Sequence, residues 1–241
     1  MLSRIVRNWH AAKRRAVMSV RYYMTPPHQP HNSGTTTYLE CDTADLGQFV
    51  YRKLMPVVGT SPFPPNELML MCAAMLWLRP TLVVEWGTNI GASARVWHET
   101  NVRYGLGADV HSIDLPDSIS HPEHPGPRRG LLVRGLPVHL HQGDGPELAA
   151  VLIAGLGCRK PLVFIDGDHS EAAVYRDARA VLDAAPEASL LFHDTFYQPS
   201  SAYNHGPYAA VQRLLAEITP GRKMIRCELG CPGLTLVTSP T

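Results

Sequence analysis

From residue 81 onward, short apolar segments alternate with segments of helical periodicity, and this rhythm restricts the fold more than any other feature. The segments TLVVEW, ADVHSID, VHLHQGD, PLVFID and ASLLFHD each suit a strand, and helical patterns such as ASARVWHETNV and EAAVYRDARAVLDAA lie between them. Strands that alternate with helices are typical of β-α-β crossovers, which produce a mostly parallel sheet. The sequence therefore predicts an α/β fold.

Two further apolar segments, KMIRCEL and GLTLVTS, follow the last helical pattern and predict a hairpin across Gly230 to Gly233. A hairpin joins antiparallel strands, so it differs from the crossovers before it. We expect a Rossmann-like, doubly wound and mostly parallel seven-stranded sheet with a C-terminal antiparallel hairpin.

Two helical segments precede the first strand. In TADLGQFVYRKLM, helical spacing relates Leu46, Phe49, Val50 and Leu54, and Thr43 is a candidate cap. The segment PPNELMLMCAAMLWL places Pro65 in a first helical turn and is apolar on nearly all sides. Such a helix is expected to be buried.

The N-terminal residues 1–24 carry six basic side chains and no acid, although the formal charge of the whole chain is only +1. This segment is compatible with a mitochondrial presequence, a helix lying on an anionic membrane, or an arm that packs against a sister subunit in a homo-oligomer. Residues 25–37 form a polar linker. We expect a basic helical extension and linker over 1–60 and one domain over 61–241.

The charge distribution and the cysteine content restrict the partners and the cellular location of the protein. A basic head on a mildly acidic body is not the pattern of a nucleic-acid-binding domain. The five cysteines are odd in number and contain no C-x-x-C pair, which favours a reduced, cytoplasmic location. No apolar run approaches the roughly 18 residues of a membrane span.

An acidic residue follows each of the five predicted parallel strands. These residues are Glu85, Asp114, Asp144, Asp166 and Asp194. In an open parallel sheet, ligands bind beyond the carboxyl ends of the strands. This edge of the sheet is therefore the predicted ligand site.

The turn after the first strand, VVEWGTNIGASA, surrounds Gly87 and Gly91 and leads into a helix with Ser93 in its first turn. Glycines allow a ligand to approach the backbone, and a helix N-terminus offers free N–H groups. The spacing E-x-G-x-x-x-G differs from the dinucleotide fingerprint. A turn that needs glycine for packing alone is the alternative.

The segment LVFIDGDHS places two carboxylates one residue apart after a buried strand. If the extended conformation persists past Ile165, Asp166 and Asp168 lie on one face. Two neighbouring like charges need a cation or a shared proton. Glycosyltransferases that use nucleotide sugars, haloacid-dehalogenase-type phosphatases and metal-dependent methyltransferases all use such acids.

As an ordered set, the segments VVEWGTNIGASA, HSIDL, HQGD, LVFIDGDHS and LLFHD resemble the motifs of class I S-adenosylmethionine-dependent methyltransferases. The similarity is greatest to metal-dependent O-methyltransferases that act on sugars and other natural products, including cephalosporin-hydroxylase-like, macrocin and aminocoumarin-sugar relatives. It spans roughly residues 65–238.

The resemblance implies an S-adenosylmethionine site. The turn from Gly87 to Gly91 would wrap the methionine end, Asp114 would accept hydrogen bonds from the ribose, and Asp144 would lie near the adenine. The full set that it assigns to the cofactor is Glu85, Gly87, Thr88, Asn89, Gly91, Ser93, Asp114, Gly143, Asp144 and Asp166.

The resemblance also implies a divalent metal held by Asp166, Asp194 and His193. The family usually has Asp-Asp or Asp-Asn where this chain has His193-Asp194. Carboxylates suit Mg²⁺, whereas imidazole favours softer ions such as Mn²⁺, Fe²⁺ or Zn²⁺. A histidine that only bonds a neighbouring loop is the alternative for His193.

For catalysis, Asp168 is the candidate general base and His169 lies beside it. Asp168 could instead be a further metal ligand or cap the helix that begins near Glu171. His169 could be a cap residue, or could contact a metal ligand without binding the metal. The loops after Asp114 and Asp194 are candidates for acceptor contact.

The sequence thus predicts methyl transfer from S-adenosylmethionine to a hydroxyl of a small molecule, assisted by a divalent metal. A glycosyltransferase would leave the E-x-G motif unexplained, and a phosphatase of the haloacid dehalogenase type would carry its D-x-D after the first strand. A non-catalytic binding protein would be expected to have lost motif glycines or acids, and all of them are present.

Overall fold

The computed structural model describes residues 42–121, 124–197, 204–218, 221–227 and 232–240. The basic segment 1–24 and the polar linker 25–37 lie outside the described residues, and so do the interpretations offered for them.

Within the described part of the chain, seven strands form one sheet in the order β3-β2-β1-β4-β5-β7-β6. The strands are β1 Leu82–Trp86, β2 Asp109–Asp114, β3 His139–Gln142, β4 Leu162–Ile165, β5 Ser189–His193, β6 Met224–Cys227 and β7 Leu234–Val237. The first five are parallel, and β7 runs antiparallel to both β5 and β6. The predicted Rossmann-like sheet and its C-terminal hairpin are confirmed.

Helices cover both faces of this sheet. They are α1 Thr43–Phe49, α2 Met55–Val58, α3 Pro65–Leu78, α4 Ala92–Tyr104, α5 Gly145–Gly155, α6 Glu171–Ala184 and α7 Gly206–Glu217, and a π-helical turn over Val50–Leu54 joins α1 to α2. One apolar cluster joins the helices before β1 to α4 and one sheet face, and the other joins α5, α6 and α7 to the opposite face. No helix in the described ranges combines the length and the apolar character that crossing a membrane requires.

Helix α1 begins one residue earlier than a cap at Thr43 would allow. Asp42, in an extended conformation, accepts hydrogen bonds from the backbone N–H groups of Ala44 and Asp45, each at 3.0 Å. Thr43 is the first helical residue, so the prediction of Thr43 as the cap is wrong. Asp and Thr are both good capping residues, and spacing alone does not separate two neighbours.

The segment from α1 to α2 belongs to the core of the domain. The side chains of Leu46, Phe49, Val50 and Leu54 are all buried. Phe49 packs edge-on against Tyr104 of α4 at 5.8 Å between ring centroids, and Asp45 accepts a hydrogen bond from the Tyr104 hydroxyl at 2.8 Å. Residues 43–58 therefore share their packing with the sheet.

Helix α3 is buried on almost all sides, as its composition predicts. It begins at Pro65, in the first-turn position expected for that residue, and it ends at Leu78 with Arg79 in a left-handed conformation. Its one acidic residue, Glu67, has no exposed surface. A buried carboxylate without hydrogen-bond donors or a counter-charge would strongly destabilise the folded state, so Glu67 needs such partners.

Replacement of Phe49 by alanine should lower the free energy of unfolding by about 3–5 kcal/mol, since it leaves a cavity between α1 and α4. Guanidinium denaturation of the full chain measures this loss. The control is Tyr51→Ala, two residues away with a side chain that is 57% exposed, which should change stability by no more than about 0.5 kcal/mol. Equal losses in the two variants would mean that α1 does not belong to the core.

Candidate active site

The carboxyl ends of β1, β2, β4 and β5 surround a cleft of about 810 Å³. It lies where the strand order reverses between β1 and β4, the usual ligand position in such sheets. The predicted site residues that line it are Gly87, Thr88, Asn89, Ser93, Asp114, Gly143, Asp144, Asp166, Asp168, His169, His193 and Asp194. Glu85 and Gly91 lie behind this surface.

The glycine turn is tied to the neighbouring strand ends. Gly87 has a φ of +95°, and a Cβ atom there would lie 2.0 Å from the carbonyl oxygen of Asp166. Gly91 has a φ of +87°, and its Cβ would lie 3.2 Å from the Cα atom of Gly130. Packing therefore demands both glycines, and the same turn also exposes its backbone to the cleft.

Glu85 is fully buried and anchors the floor beneath the turn. Its carboxylate accepts hydrogen bonds from the indole N–H of Trp97 at 2.6 Å and the hydroxyl of Ser112 at 2.7 Å. Burial raises the pKa of Glu85 to about 7 despite these donors. Because Ser112 donates to Glu85, the hydroxyl of Thr88, 2.7 Å from that of Ser112, is the donor in their bond. The chain Thr88–Ser112–Glu85 thus connects the cleft surface to the buried acid.

Asp114 is held at the end of β2 by three donors. Its carboxylate accepts from the backbone N–H of Leu115 at 2.8 Å, the N–H of Asn89 at 3.1 Å and the guanidinium of Arg129 at 3.3 Å. Arg129 also donates to Asp117 at 2.6 Å. Arg129 was not predicted from the sequence, because nothing in the local pattern PRRG tells which arginine contacts Asp114 at the end of β2.

Gly143 and Asp144 complete the cleft at the end of β3. The carboxylate of Asp144 accepts from the N–H of Glu147 at 3.1 Å and so caps α5. A Cβ atom at Gly143 would lie 2.7 Å from a methyl group of Leu148. The helix cap therefore fixes the position of this side of the cleft.

Across the cleft, two acids and two imidazoles form a compact cluster. Nδ1 of His193 lies 3.0 Å from Asp166 Oδ1 and 3.3 Å from Asp194 Oδ2. Nε2 of His169 lies 3.1 Å from the same Asp194 oxygen. The structure thus brings together the residues predicted as metal ligands, with one donor atom each from Asp166, His193 and Asp194 within 4.8 Å of one another.

The charges in this cluster compensate one another. Burial acting alone would lower the pKa of His193, but the carboxylates of Asp166, Asp194 and Glu67 outweigh it and raise that pKa well above its ordinary value. Burial likewise acts to raise the pKa of Asp166, and the nearby imidazoles of His193 and His169 reverse the effect. The pKa of Asp166 is lowered in balance, so this acid is ionised at neutral pH.

Asp166 and Asp168 do not share one extended strand, because β4 ends at Ile165. The prediction that Asp166 and Asp168 lie on one face required an extended conformation past Ile165, so it does not apply here. Oδ1 of Asp168 accepts a hydrogen bond from the N–H of Ser170 at 2.7 Å, which lowers the pKa of Asp168. Ser170 in turn caps α6, which begins at Glu171 as expected. Asp168 still lines the cleft, so its carboxylate supports the entry to α6 and also faces the site.

Loops from three parts of the chain close the remaining sides. The loop after Asp114 contributes Leu115, His121, His124 and Pro125 to the cleft, and the segment before α3 contributes Ser61, Pro62 and Phe63. The ring of Phe63 packs edge-on against His193 at 4.9 Å. Residues 198–203 of the predicted loop after Asp194 lie outside the described residues. The sequence did not predict that Ser61, Pro62 and Phe63 line the cleft, because their position depends on how α3 packs across the sheet.

A family model described as a methyltransferase domain matches residues 84–195, which run from β1 to the end of β5. No curated protein matches the sequence. The matched segment contains every residue predicted for the cofactor and the metal.

Several solved structures share the fold. An O-methyltransferase from Klebsiella pneumoniae aligns with 16% identity and a TM-score of 0.52, covering 81% of this chain and 90% of that one. TomG from Streptomyces achromogenes, an O-methyltransferase of tomaymycin synthesis solved with S-adenosylmethionine, gives 16% identity and a TM-score of 0.51 over 85% and 93%. CalS11, the TDP-rhamnose 3′-O-methyltransferase of calicheamicin biosynthesis, gives 15% and 0.50 over 81% and 92%.

The strand order, the glycine turn, the acid after β2 and the matched family model all agree with the resemblance found in the sequence. The alignments extend over most of this chain and of each solved structure. Residues 84–195 therefore match a methyltransferase domain, and most of the chain shares its fold with solved O-methyltransferases.

Proposed function

We propose that the protein transfers a methyl group from S-adenosylmethionine to a hydroxyl group of a small-molecule acceptor, a sugar or another natural product, with the help of a divalent metal ion. One observation carries the proposal: the glycine turn and Asp114 face the cluster of Asp166, His193 and Asp194 across one cleft. A methyl donor bound to the first wall would present its methyl group toward an acceptor at the second.

The cofactor side of the cleft has the chemistry that this nucleoside needs. The two oxygens of Asp114 can accept hydrogen bonds from two ribose hydroxyls, and three donors already fix their direction. The turn from Gly87 to Gly91 has no side chain at either end to obstruct a methionine tail. Asp144 and Gly143 occupy the neighbouring position, where the adenine would lie.

The acceptor side has the donor set of a divalent cation site. Two carboxylates and one imidazole converge, and this mixture suits Mn²⁺, Fe²⁺ or Zn²⁺ as well as Mg²⁺. Asp194 adopts a φ of +56°, a left-handed conformation that costs energy outside glycine and that clusters at active sites and ligand-binding positions. A cation bound there would lower the pKa of an acceptor hydroxyl and neutralise the two acids.

The remaining task is removal of the hydroxyl proton. An oxygen–carbon bond forms as the carbon–sulfur bond of the sulfonium breaks, and the hydroxyl proton has to leave the oxygen. The carboxylate of Asp168 is exposed to the cleft and has a lowered pKa, so it is ionised and able to accept that proton. His169, beside it, holds Asp194 in position through their 3.1 Å contact.

The proposed acceptor class rests on two solved structures with a similar fold. TomG acts in tomaymycin synthesis, and CalS11 methylates a rhamnose hydroxyl.

A glycosyltransferase would require Asp166 and Asp168 to hold one cation together, whereas here they contact different partners, His193 and the N–H of Ser170.

The cysteines among the described residues form no disulfide, in keeping with the proposed cytoplasmic location.

Replacement of Asp114 by alanine should weaken binding of S-adenosylhomocysteine by about 1.5–3 kcal/mol, the size of a hydrogen bond to a charged group. Isothermal titration calorimetry measures the change. The matched control is Asp117→Ala, which removes another partner of the same Arg129 but lies outside the cleft, and it should retain most of the affinity. Equal affinities for the two variants would exclude Asp114 as the ribose ligand.

Removal of divalent metal should abolish turnover while leaving the affinity for S-adenosylhomocysteine nearly unchanged, because Asp114 and the turn from Gly87 to Gly91 supply no ligand to the metal. The measurement compares chelator-treated protein with protein to which Mg²⁺ or Mn²⁺ has been restored, using binding and methyl transfer to a panel of sugar and phenolic hydroxyls. Asp194→Ala should lose the response to added metal. Undiminished turnover in metal-free protein would exclude a catalytic metal.

The variant Asp168→Asn separates the two roles of this side chain. Asparagine can still accept a hydrogen bond from Ser170, so the free energy of unfolding should stay close to that of the wild type. Loss of a general base should lower kcat by about 10²–10⁴. Metal and cofactor affinities are measured in parallel. Full activity would exclude Asp168 as the base, and loss of metal binding would make it a ligand.

A further inference from the structure

We propose that Glu67 is a positioning residue that fixes the tautomer of His193, so that Nδ1 is the nitrogen offered to the metal. The inference rests on the metal site of the proposed function. It concerns a carboxylate that lies on α3, outside the segment that matches the methyltransferase family.

Glu67 has no exposed surface, and each of its oxygens faces one group. Oε1 accepts a hydrogen bond from the backbone N–H of Gly233 at 2.8 Å. Oε2 lies 3.3 Å from Nε2 of His193, whose side chain is only 4% exposed. Among the described residues, neither Oε2 nor Nε2 has a partner that meets hydrogen-bond geometry, so the 3.3 Å ion-pair contact between these two buried atoms is their compensation.

The opposite nitrogen of the ring faces the cleft. Nδ1 of His193 lies 3.0 Å from Asp166 and 3.3 Å from Asp194. The imidazole therefore stands between a buried carboxylate and the two carboxylates that face the cleft. The ring cannot turn easily, because Phe63 packs against it at 4.9 Å and Phe164 at 6.2 Å between centroids.

The chemistry of the carboxylate decides which nitrogen carries the proton. An ionised carboxylate can only accept hydrogen bonds, so Nε2 must carry a hydrogen to satisfy Glu67. When His193 is neutral, Nδ1 then has the free lone pair, and it is the nitrogen beside Asp166 and Asp194. Metal-binding histidines commonly donate their second N–H to a carboxylate in this way.

The backbone around Gly233 holds Glu67 rigidly in this position. The N–H of Thr195, the residue after Asp194, donates to the carbonyl oxygen of Gly233 at 3.2 Å. A Cβ atom at Gly233 would lie 2.4 Å from the backbone nitrogen of Phe196. One turn therefore contacts both Glu67 and the chain that follows the metal ligands, so the carboxylate and the ligands keep a fixed relation.

The decisive variant is Glu67→Gln, which preserves shape and the acceptor for Gly233. The glutamine amide turns its NH₂ group toward His193, so Nε2 must give up its hydrogen and Nδ1 must carry it. Titration of the cofactor-free variant with Mn²⁺ or Zn²⁺ should show an affinity about 10–100-fold weaker than that of the wild type. The affinity for S-adenosylhomocysteine should change less than about 3-fold, since Glu67 lies away from that wall.

The control variant is Glu99→Gln. Glu99 is also a largely buried acid, but it pairs with Arg95 on α4 at 2.6 Å, away from the cluster. Its replacement should leave metal affinity unchanged. A Glu67→Gln variant that binds metal as tightly as this control would overturn the inference.

Nitrogen NMR of histidine-labelled protein shows directly which ring nitrogens carry a proton. In the wild type, Nε2 of His193 should be protonated with and without metal, and Nδ1 should lose its proton when metal binds. In metal-free Glu67→Gln, Nε2 should be unprotonated and Nδ1 protonated. A wild-type spectrum with unprotonated Nε2 would overturn the inference even if the variant failed to fold. Wild-type protein that binds no metal but has protonated Nε2 would contradict the metal part of the proposed function and leave the role of Glu67 intact.

Discussion

The close approach of two strand ends, Gly87 after β1 and Asp166 after β4, determines the shape of the cleft. The carbonyl oxygen of Asp166 occupies the space that any side chain at residue 87 would need. Because β1 and β4 are neighbours in the sheet, this contact lies where the strand order reverses. It joins the wall suited to the cofactor to the wall that carries the metal-binding cluster, so both depend on the same backbone packing.

Buried acids on the two sides of that contact are stabilised in different ways. Glu85 is surrounded by neutral donors and burial dominates, so its pKa lies near 7. Glu67 instead faces an imidazole that is itself in contact with Asp166 and Asp194. Neutral hydrogen-bond donors suit Glu85, which supports the glycine turn from beneath. The charged neighbours of Glu67 suit a site at which a cation can replace a proton.

The sequence was sufficient for the strands, their parallel arrangement and the acid at each strand end, because these follow from periodicity and from the rules of β-α-β folds. The local detail was less accessible. Asp42 and Thr43 are both good caps, and the D-x-D pair needed the exact end of β4 before its two carboxylates could be assigned to different partners. Arg129 and Glu67 act through contacts with Asp114 and His193, and no spacing within a single segment encodes such contacts.

The loop that follows β2 is hydrogen-bonded to the glycine turn through Gly130 and Leu132. The N–H of Gly130 donates to the carbonyl of Asn89, and the N–H of Leu132 to that of Ile90, both at 2.9 Å. The same loop lines the cleft with His121 and His124. Residues 130–132 therefore cannot shift without straining the turn, so the loop and the turn are mechanically linked. Under the proposed function, such a linkage favours an ordered kinetic scheme in which the methyl donor binds first and the acceptor second.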